Sequence, residues 1–194
     1  MTTRPGAGVP GGTGDVEATI LGLVRDVPDY PAPGVLFKDI TPLLADAGAF
    51  AAVVEAITAP FRGDGRQVDL VAGIEARGFI LAAPVAVALG AGFVPVRKRG
   101  KLPYTTVGAS YALEYGTAEI EVHTDAVAPG RRVLVVDDVL ATGGTAAAAC
   151  ALVRRLGGDV AGLTVLMELG SMHGRSKLED SDLRAADIRA LVTL

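Results

Sequence analysis

The stretch Val133-Leu-Val-Val-Asp-Asp-Val-Leu-Ala-Thr-Gly-Gly-Thr145 constrains the fold of this chain more than any other. Four apolar, mostly β-branched residues run into two adjacent acids. A turn of small residues follows, then the alanines 146–149 with Leu152 and Val153. The pattern predicts a buried strand, a tight loop at its carboxyl end, and a helix that begins near Gly144. In an open α/β sheet, ligands bind beyond the carboxyl ends of the strands.

The residue types divide the chemistry of that loop. Backbone N–H groups of Ala141, Thr142, Gly143, Gly144 and Thr145, unpaired at a helix start, can cradle a phosphate with help from the helix dipole. Gly143 and Gly144 let the backbone approach it closely, and the hydroxyls of Thr142 and Thr145 add donors. Asp137 and Asp138 would repel a phosphate but suit vicinal ribose hydroxyls, or a metal bound to them. A sugar phosphate satisfies both halves. Two plainer accounts compete: Asp138 capping a helix, or the Walker-B-like strand of a nucleotide hydrolase. The hydrolase would also need Gly-x-x-x-x-Gly-Lys-Ser/Thr, and the only Gly-Lys here, Gly100-Lys101, is followed by Leu102.

Composition bounds the rest. A chain of 194 residues fits one domain with a sizeable core, and the tail 1–14, rich in Gly, Pro and Thr, is expected to be disordered, leaving 15–194 as that domain. Within the tail, Gly6-Ala-Gly-Val-Pro-Gly11 matches a dinucleotide fingerprint by spelling alone, since no strand precedes it. A net charge of −4 and a pI near 5.2 argue against nucleic-acid binding. The single cysteine, Cys150, excludes an internal disulfide and reads as core packing; two histidines cannot assemble a zinc cluster. No signal pattern opens the chain, so a cytoplasmic protein is expected. The uncharged stretch 79–96 is long enough to suggest a membrane span, but Pro84, Gly90, Gly92 and Pro95 interrupt it. A helix to about Leu89, a turn and a buried strand from Phe93 explain it better.

Along the chain, residues 16–27 carry apolar side chains at helical spacing and predict a helix that ends at Pro28. The proline-punctuated stretch 29–42 predicts little regular structure, and Asp46 caps a helix to about Phe61. Strands are expected at 69–74, 93–96, 108–115, 119–124, 160–167 and 188–194, with Gly116-Thr117 as a hairpin turn. Strands that alternate with helices imply an α/β fold with a mainly parallel sheet flanked by helices.

Three further stretches bear on function. Glu75-Ala-Arg-Gly78 lies at a strand end before a helix and can form a second anion cradle, with Arg77 supplying charge. Arg97, Lys98, Arg99 and Lys101 place four cations in five residues, either a solvated loop or a lid that closes over an anion. Ser110-Tyr-Ala-Leu-Glu-Tyr-Gly116 alone would pass for an edge strand.

Together these motifs resemble the type I phosphoribosyltransferases, and Ser110 to Gly116, Pro31-Ala-Pro-Gly-Val-Leu-Phe-Lys-Asp39 and the basic loop resemble the adenine branch of that family. The resemblance implies a single-domain fold with a mobile lid, and the reaction of adenine with 5-phosphoribosyl-1-pyrophosphate (PRPP) to give AMP and pyrophosphate. It places the ribose phosphate at Asp137, Asp138 and residues 141–145. Pyrophosphate falls to Glu75, Ala76, Arg77, Arg97, Lys98 and Lys101. The base goes to the backbone of Leu36 and Lys38, to stacking by Phe37 and to packing by Val139. Glu114 and Arg77 are the catalytic candidates, Glu114 as the proton acceptor and donor near purine N7. Mg²⁺ is expected mainly on PRPP oxygens, a homodimer is the family habit, and the Glu75–Ala76 bond is where a cis peptide is expected. The rival readings are a phosphoribosyltransferase for hypoxanthine, guanine or xanthine, and a PRPP-sensing regulator.

Overall fold

The computed structural model describes residues 13–63, 65, 67–112, 116–179 and 187–194. Packing divides the chain into two units, residues 1–56 and 57–194.

In the first unit, helix α1 (Thr13–Leu23) buries Val16 and Ile20. It begins inside the stretch assigned to the tail, whose residues 1–12 lie outside the described ones. The helix also stops earlier than its apolar spacing predicts. Arg25–Val27 instead forms strand β1, antiparallel to β2 (Phe37–Asp39). Pro28 biases the residue before it toward extended backbone, and cross-strand ion pairs, Arg25–Asp39 at 2.6 Å and Lys38–Asp26 at 2.7 Å, fix the register. The stretch 29–42 is therefore more ordered than expected. It supplies β2 and opens the short helix α2 (Thr41–Ala45). Helix α3 (Ala47–Thr58) starts as predicted, with the Ala49 N–H donating to Asp46 Oδ1 at 2.8 Å.

In the second unit, β3 (Leu70–Ile74), α4 (Arg77–Leu89) and β4 (Gly92–Lys98) follow in turn. The uncharged stretch is thus a helix, a turn at Gly90 with φ of 65°, and a strand. Among the described residues no helix is long and apolar enough to cross a membrane. The hairpin strands β5 (Thr106–Ala112) and β6 (Thr117–His123) come next. Then come β7 (Arg132–Leu140), α5 (Gly144–Arg155), β8 (Asp159–Glu168), α6 (Gly174–Glu179) and β9 (Ile188–Thr193). They form one seven-stranded sheet in the order β5-β6-β4-β3-β7-β8-β9. The strands β4 to β9 in that order are parallel, and β6 and β5 close one edge antiparallel.

Strand alternation distributes the helices. Ala72 and Ile74 point into a core shared with Ala149, Cys150 and Leu152 of α5. Gly73, between them, points to the other face, where an added Cβ would lie 2.7 Å from Ala82 of α4. Glycine there lets α4 sit against the sheet. Cys150 is fully buried, and burial pushes its thiol up to about 12, so it packs rather than reacts.

Candidate active site

Two helices begin at the carboxyl ends of two neighbouring parallel strands, β7 and β3. Helix α5 has Gly143 as its N-cap, at φ of 76°, and α4 has Ala76. Neither cap supplies a side-chain acceptor, and neither first turn carries an acid. The first N–H groups of both helices therefore have no capping side chain on them. Around the first start, Asp137, Val139 and residues 140–146 enclose about 80 Å³ of free volume, room for several waters or one phosphate group.

The loop at β7 is shaped by glycine. An added Cβ on Gly143 would run into the carbonyl of Gly174, at the start of α6, and one on Gly174 would run into the Ala141 carbonyl. The segment after Met167, silent in the sequence, thus packs against the loop at the end of β7. Arg175 anchors it, bonding Glu168 at 2.5 Å and the Ile188 carbonyl at 2.9 Å. A Gly-Arg pair just past a strand was the available signal, too short to read without the fold. Lys177 stands near the same loop, its Nζ 3.7 Å from a Cβ built on Gly144.

At β3 the chain turns through a cis Glu75–Ala76 peptide, at the bond the resemblance pointed to. Gly78 then lets α4 approach β7, since an added Cβ would stand 2.8 Å from Asp137 Oδ1. That approach joins the two motifs. Arg77 Nε lies 2.5 Å from Asp138 Oδ2, and Asp138 is only 5% exposed. The Asp138 N–H donates to Asp137 Oδ1 at 2.9 Å. Enclosure by protein pushes Asp137 well above the usual carboxylate range, and the neighbouring Asp138 charge adds to the effect. Glu75 is drawn the other way. Arg97 Nε and the Lys98 N–H both donate to Glu75 Oε2 at 3.1 Å. The Arg97 hydrogen bond is the larger cause that holds Glu75 below its ordinary value.

The basic stretch is less loose than its composition suggests. Arg97 and Lys98 lie within β4, and of the two cations in the connection to β5, Arg99 and Lys101, Arg99 pairs with Glu119. Among the described residues, the ammonium groups of Lys98 and Lys101 contact no carboxylate. Leu36, Phe37 and Lys38 belong to the first unit. There Leu36 is half-exposed, Phe37 stacks edge-on with Tyr30 at 5.2 Å, and Lys38 Nζ pairs with Asp26. Glu114 lies outside the described residues. The structure therefore brings together Glu75, Ala76, Arg77, Arg97, Asp137 and Asp138, with residues 139–145 beside them.

A parallel sheet with two such helix starts and an acid pair between them offers two anion cradles around a pair of carboxylates. A family model described as the phosphoribosyl transferase domain matches residues 43–189. An adenine phosphoribosyltransferase of Thermobifida fusca is 63% identical over 171 residues, 88% of this chain and 96% of the relative. The solved structure of an adenine phosphoribosyltransferase from Rhodothermus marinus has a TM-score of 0.85 at 47% identity, covering 93% of this chain and 99% of that one. One from Saccharomyces cerevisiae, in complex with an imino-altritol bisphosphate and adenine, has a TM-score of 0.82 at 35% identity over 92% and 99% of the two chains. This chain belongs to the phosphoribosyl transferase family, among its adenine phosphoribosyltransferases.

Proposed function

We propose that the chain transfers the 5-phosphoribosyl group of PRPP to adenine and releases AMP and pyrophosphate. The observation that carries this is the pair of uncapped helix starts on adjacent strands, joined through Arg77 and Asp138. PRPP has an anion at each end of one ribose, and each helix start takes one. On this reading the 5-phosphate sits on residues 141–145, and pyrophosphate lies over Glu75, Ala76 and Arg77 with Arg97, Lys98 and Lys101. Asp137 and Asp138 hold the ribose hydroxyls. The Saccharomyces relative solved with adenine supports the choice of base.

For the base, Leu36 and Lys38 stand two apart, the spacing at which extended backbone turns N–H and C=O to the same edge. One amide and one carbonyl then read an unprotonated ring nitrogen and an amino group, and so reject hypoxanthine and guanine. Phe37 stacks on the ring and Val139 packs against it.

The purine N9 forms a bond to the anomeric carbon, with inversion, as the bond to pyrophosphate breaks and its electron pair leaves with pyrophosphate. Glu114 takes the proton from N7 and returns it in reverse. The protein's share is positioning and charge stabilisation, with Arg77 facing the charge that develops on pyrophosphate. Mg²⁺ fits the residues present: Asp137, which lines the phosphate pocket, and the adjacent Asp138 offer hard carboxylate oxygens. A Mg²⁺ held chiefly by substrate phosphates, with these acids reached through its waters, needs no more. When bound, it neutralises charge on the leaving group. A single catalytic domain over 15–194, a homodimer and a cytoplasmic location complete the proposal. The face of α4 that leaves Ile80 and Val87 exposed suits a partner copy.

The test is nucleotide formation from PRPP and Mg²⁺ with adenine, hypoxanthine, guanine and xanthine in parallel. AMP alone is expected. Another nucleotide would overturn the assignment of the base, and PRPP binding without turnover on any base would favour a regulator. Glu114→Gln should cut turnover and leave PRPP binding nearly intact; unchanged turnover would remove Glu114 from the mechanism.

A further inference from the structure

The cationic stretch after β4 is fastened by a carboxylate that the chemistry above does not use. Glu121, in β6, lies opposite Arg97 of β4 in the antiparallel register and is 5% exposed. Its Oε1 accepts the backbone N–H groups of Lys101 and Leu102, each at 3.1 Å, and its Oε2 accepts the Thr106 hydroxyl at 3.1 Å. Burial alone would raise this carboxyl; the hydrogen bonds from Leu102, Thr106 and Lys101 outweigh it and keep Glu121 below its ordinary value. A buried carboxylate with both oxygens occupied by one loop is an anchor for that loop.

Lys101 is gripped from its other side as well. Arg97 Nη1 donates to the Lys101 carbonyl at 3.0 Å while the same guanidinium bonds Glu75. A continuous path of contacts thus runs from Glu121, through the backbone of Lys101, to Arg97 and the Glu75–Ala76 turn. Two positions earlier on β6, Glu119 holds Arg99. One face of a single strand therefore holds the Arg99 side chain and the Lys101 backbone.

We infer that Glu121 is a positioning residue for the pyrophosphate half of the substrate: it sets the backbone from which Lys101 reaches the site. This rests on the reading of Lys101 and Arg97 as pyrophosphate contacts. It also relocates the lid, because the base of the basic stretch is anchored and Lys101 moves only from its own side chain outward while Glu121 stays charged.

The test is steady-state kinetics of Glu121→Ala and Glu121→Gln in the full chain, with PRPP and adenine varied separately, and AMP and pyrophosphate varied in reverse. In Glu121→Ala the KM values for PRPP and pyrophosphate should rise about tenfold, the scale of losing roughly one hydrogen bond to a charged group. Those for adenine and AMP, and kcat, should stay within about threefold. Glu121→Gln keeps one acceptor oxygen and should fall between wild type and Ala; it decides the matter if the Ala variant does not fold. Unchanged KM for PRPP and pyrophosphate in Glu121→Gln and Glu121→Ala would overturn the inference, as would a uniform shift of all four KM values. Lys101→Ala separates the two layers. Raised KM values in Lys101→Ala with none in the Glu121 variants sink the inference alone. No change in Lys101→Ala overturns the reading of the basic stretch and the inference with it.

Discussion

The two anion cradles stand on adjacent strands, and on the proposed function they serve one substrate, yet they are made of different material. At the end of β7 the cradle is backbone: Gly143 at φ of 76°, no capping side chain, and Gly174 pressed against the loop. At the end of β3 it is a chain of ion pairs, Arg97 to Glu75 and Arg77 to Asp138. A backbone cradle is rigid and indifferent to pH, which suits a phosphate that stays bound through the reaction. A cradle of side chains can change partners, which suits a group that leaves. The comparison predicts that the first fails through shape and the second through charge.

Gly143→Ala is the most severe way to break the β7 cradle. The added methyl meets the Gly174 carbonyl, and alanine resists a φ of 76°. Stability should fall by about 1–3 kcal/mol, and kcat/KM for PRPP by about a thousandfold, since several donors move at once. Thermal melts and PRPP kinetics measure both. Activity within threefold of wild type would mean the loop tolerates a side chain and the cradle is not shape-limited.

Arg77→Ala breaks the other cradle through charge. Removing the guanidinium leaves Asp138, 5% exposed, without its ion-pair partner, at a cost of about 1–3 kcal/mol. Losing one charged donor should lower kcat/KM for PRPP about a hundredfold. Arg77→Lys sharpens the point: it restores charge but not the planar fork, so recovery should be partial. Full recovery by lysine would show that charge alone suffices.

These two cradles were unequally legible in the sequence. The β7 loop could be read whole, because its chemistry is local: strand, acids, glycines and helix start are consecutive residues, and periodicity sets them in order. The Glu75 turn could be found but not its partners, because Arg77–Asp138 and Arg97–Glu75 span 61 and 22 positions. The backing of the loop by Gly174 and the anchoring of Lys101 by Glu121 were not legible at all. Each depends on tertiary packing: no local pattern marks Glu121, and the Gly174-Arg175 pair is too short a signal to be read without the fold. The early end of α1 has the same cause in reverse. Local apolar spacing favoured a longer helix, and a cross-strand pairing with residues twelve to fourteen positions away overrode it.

Glu75→Gln is a milder probe of the ionic cradle and carries a pH signature. Its folded-state value lies below the ordinary 4.5. A carboxyl held low stabilises the fold above its unfolded value, and the contribution is lost as pH falls through the lowered one. Wild type should therefore lose stability on acidification below about 4.5 with a component that Glu75→Gln lacks. At neutral pH the variant should lose about fivefold in kcat/KM for PRPP, because Arg97 keeps its bond to the Lys101 carbonyl. An acid limb identical to wild type would show that Arg97 does not hold Glu75.

The smallest effect comes from an ion pair of the same type outside both cradles. Arg25 and Asp39 bridge β1 and β2 at 2.6 Å, and the Asp39 carboxyl lies at about 2. Its distance is close to the 2.5 Å of Arg77–Asp138 and shorter than the 3.1 Å of Arg97–Glu75, so geometry alone would rank it with them. The causes rank it lower. The Thr41 N–H, at 2.9 Å, is the first reason Asp39 sits low, and Arg25 comes after it. For Glu75 the order is reversed, with the guanidinium first. Arg25 is also largely exposed, where water and salt screen the pair. Arg25→Ala should therefore leave every kinetic constant unchanged and move Tm by no more than about 2 °C. An NMR titration should still find Asp39 well below the usual carboxylate range. Glu75 should return toward 4.5 in Arg97→Ala. If Asp39 instead rose to its ordinary value, the guanidinium and not the backbone amide would be its main partner. Ion pairs in the cradles would then differ from those outside only in what they face.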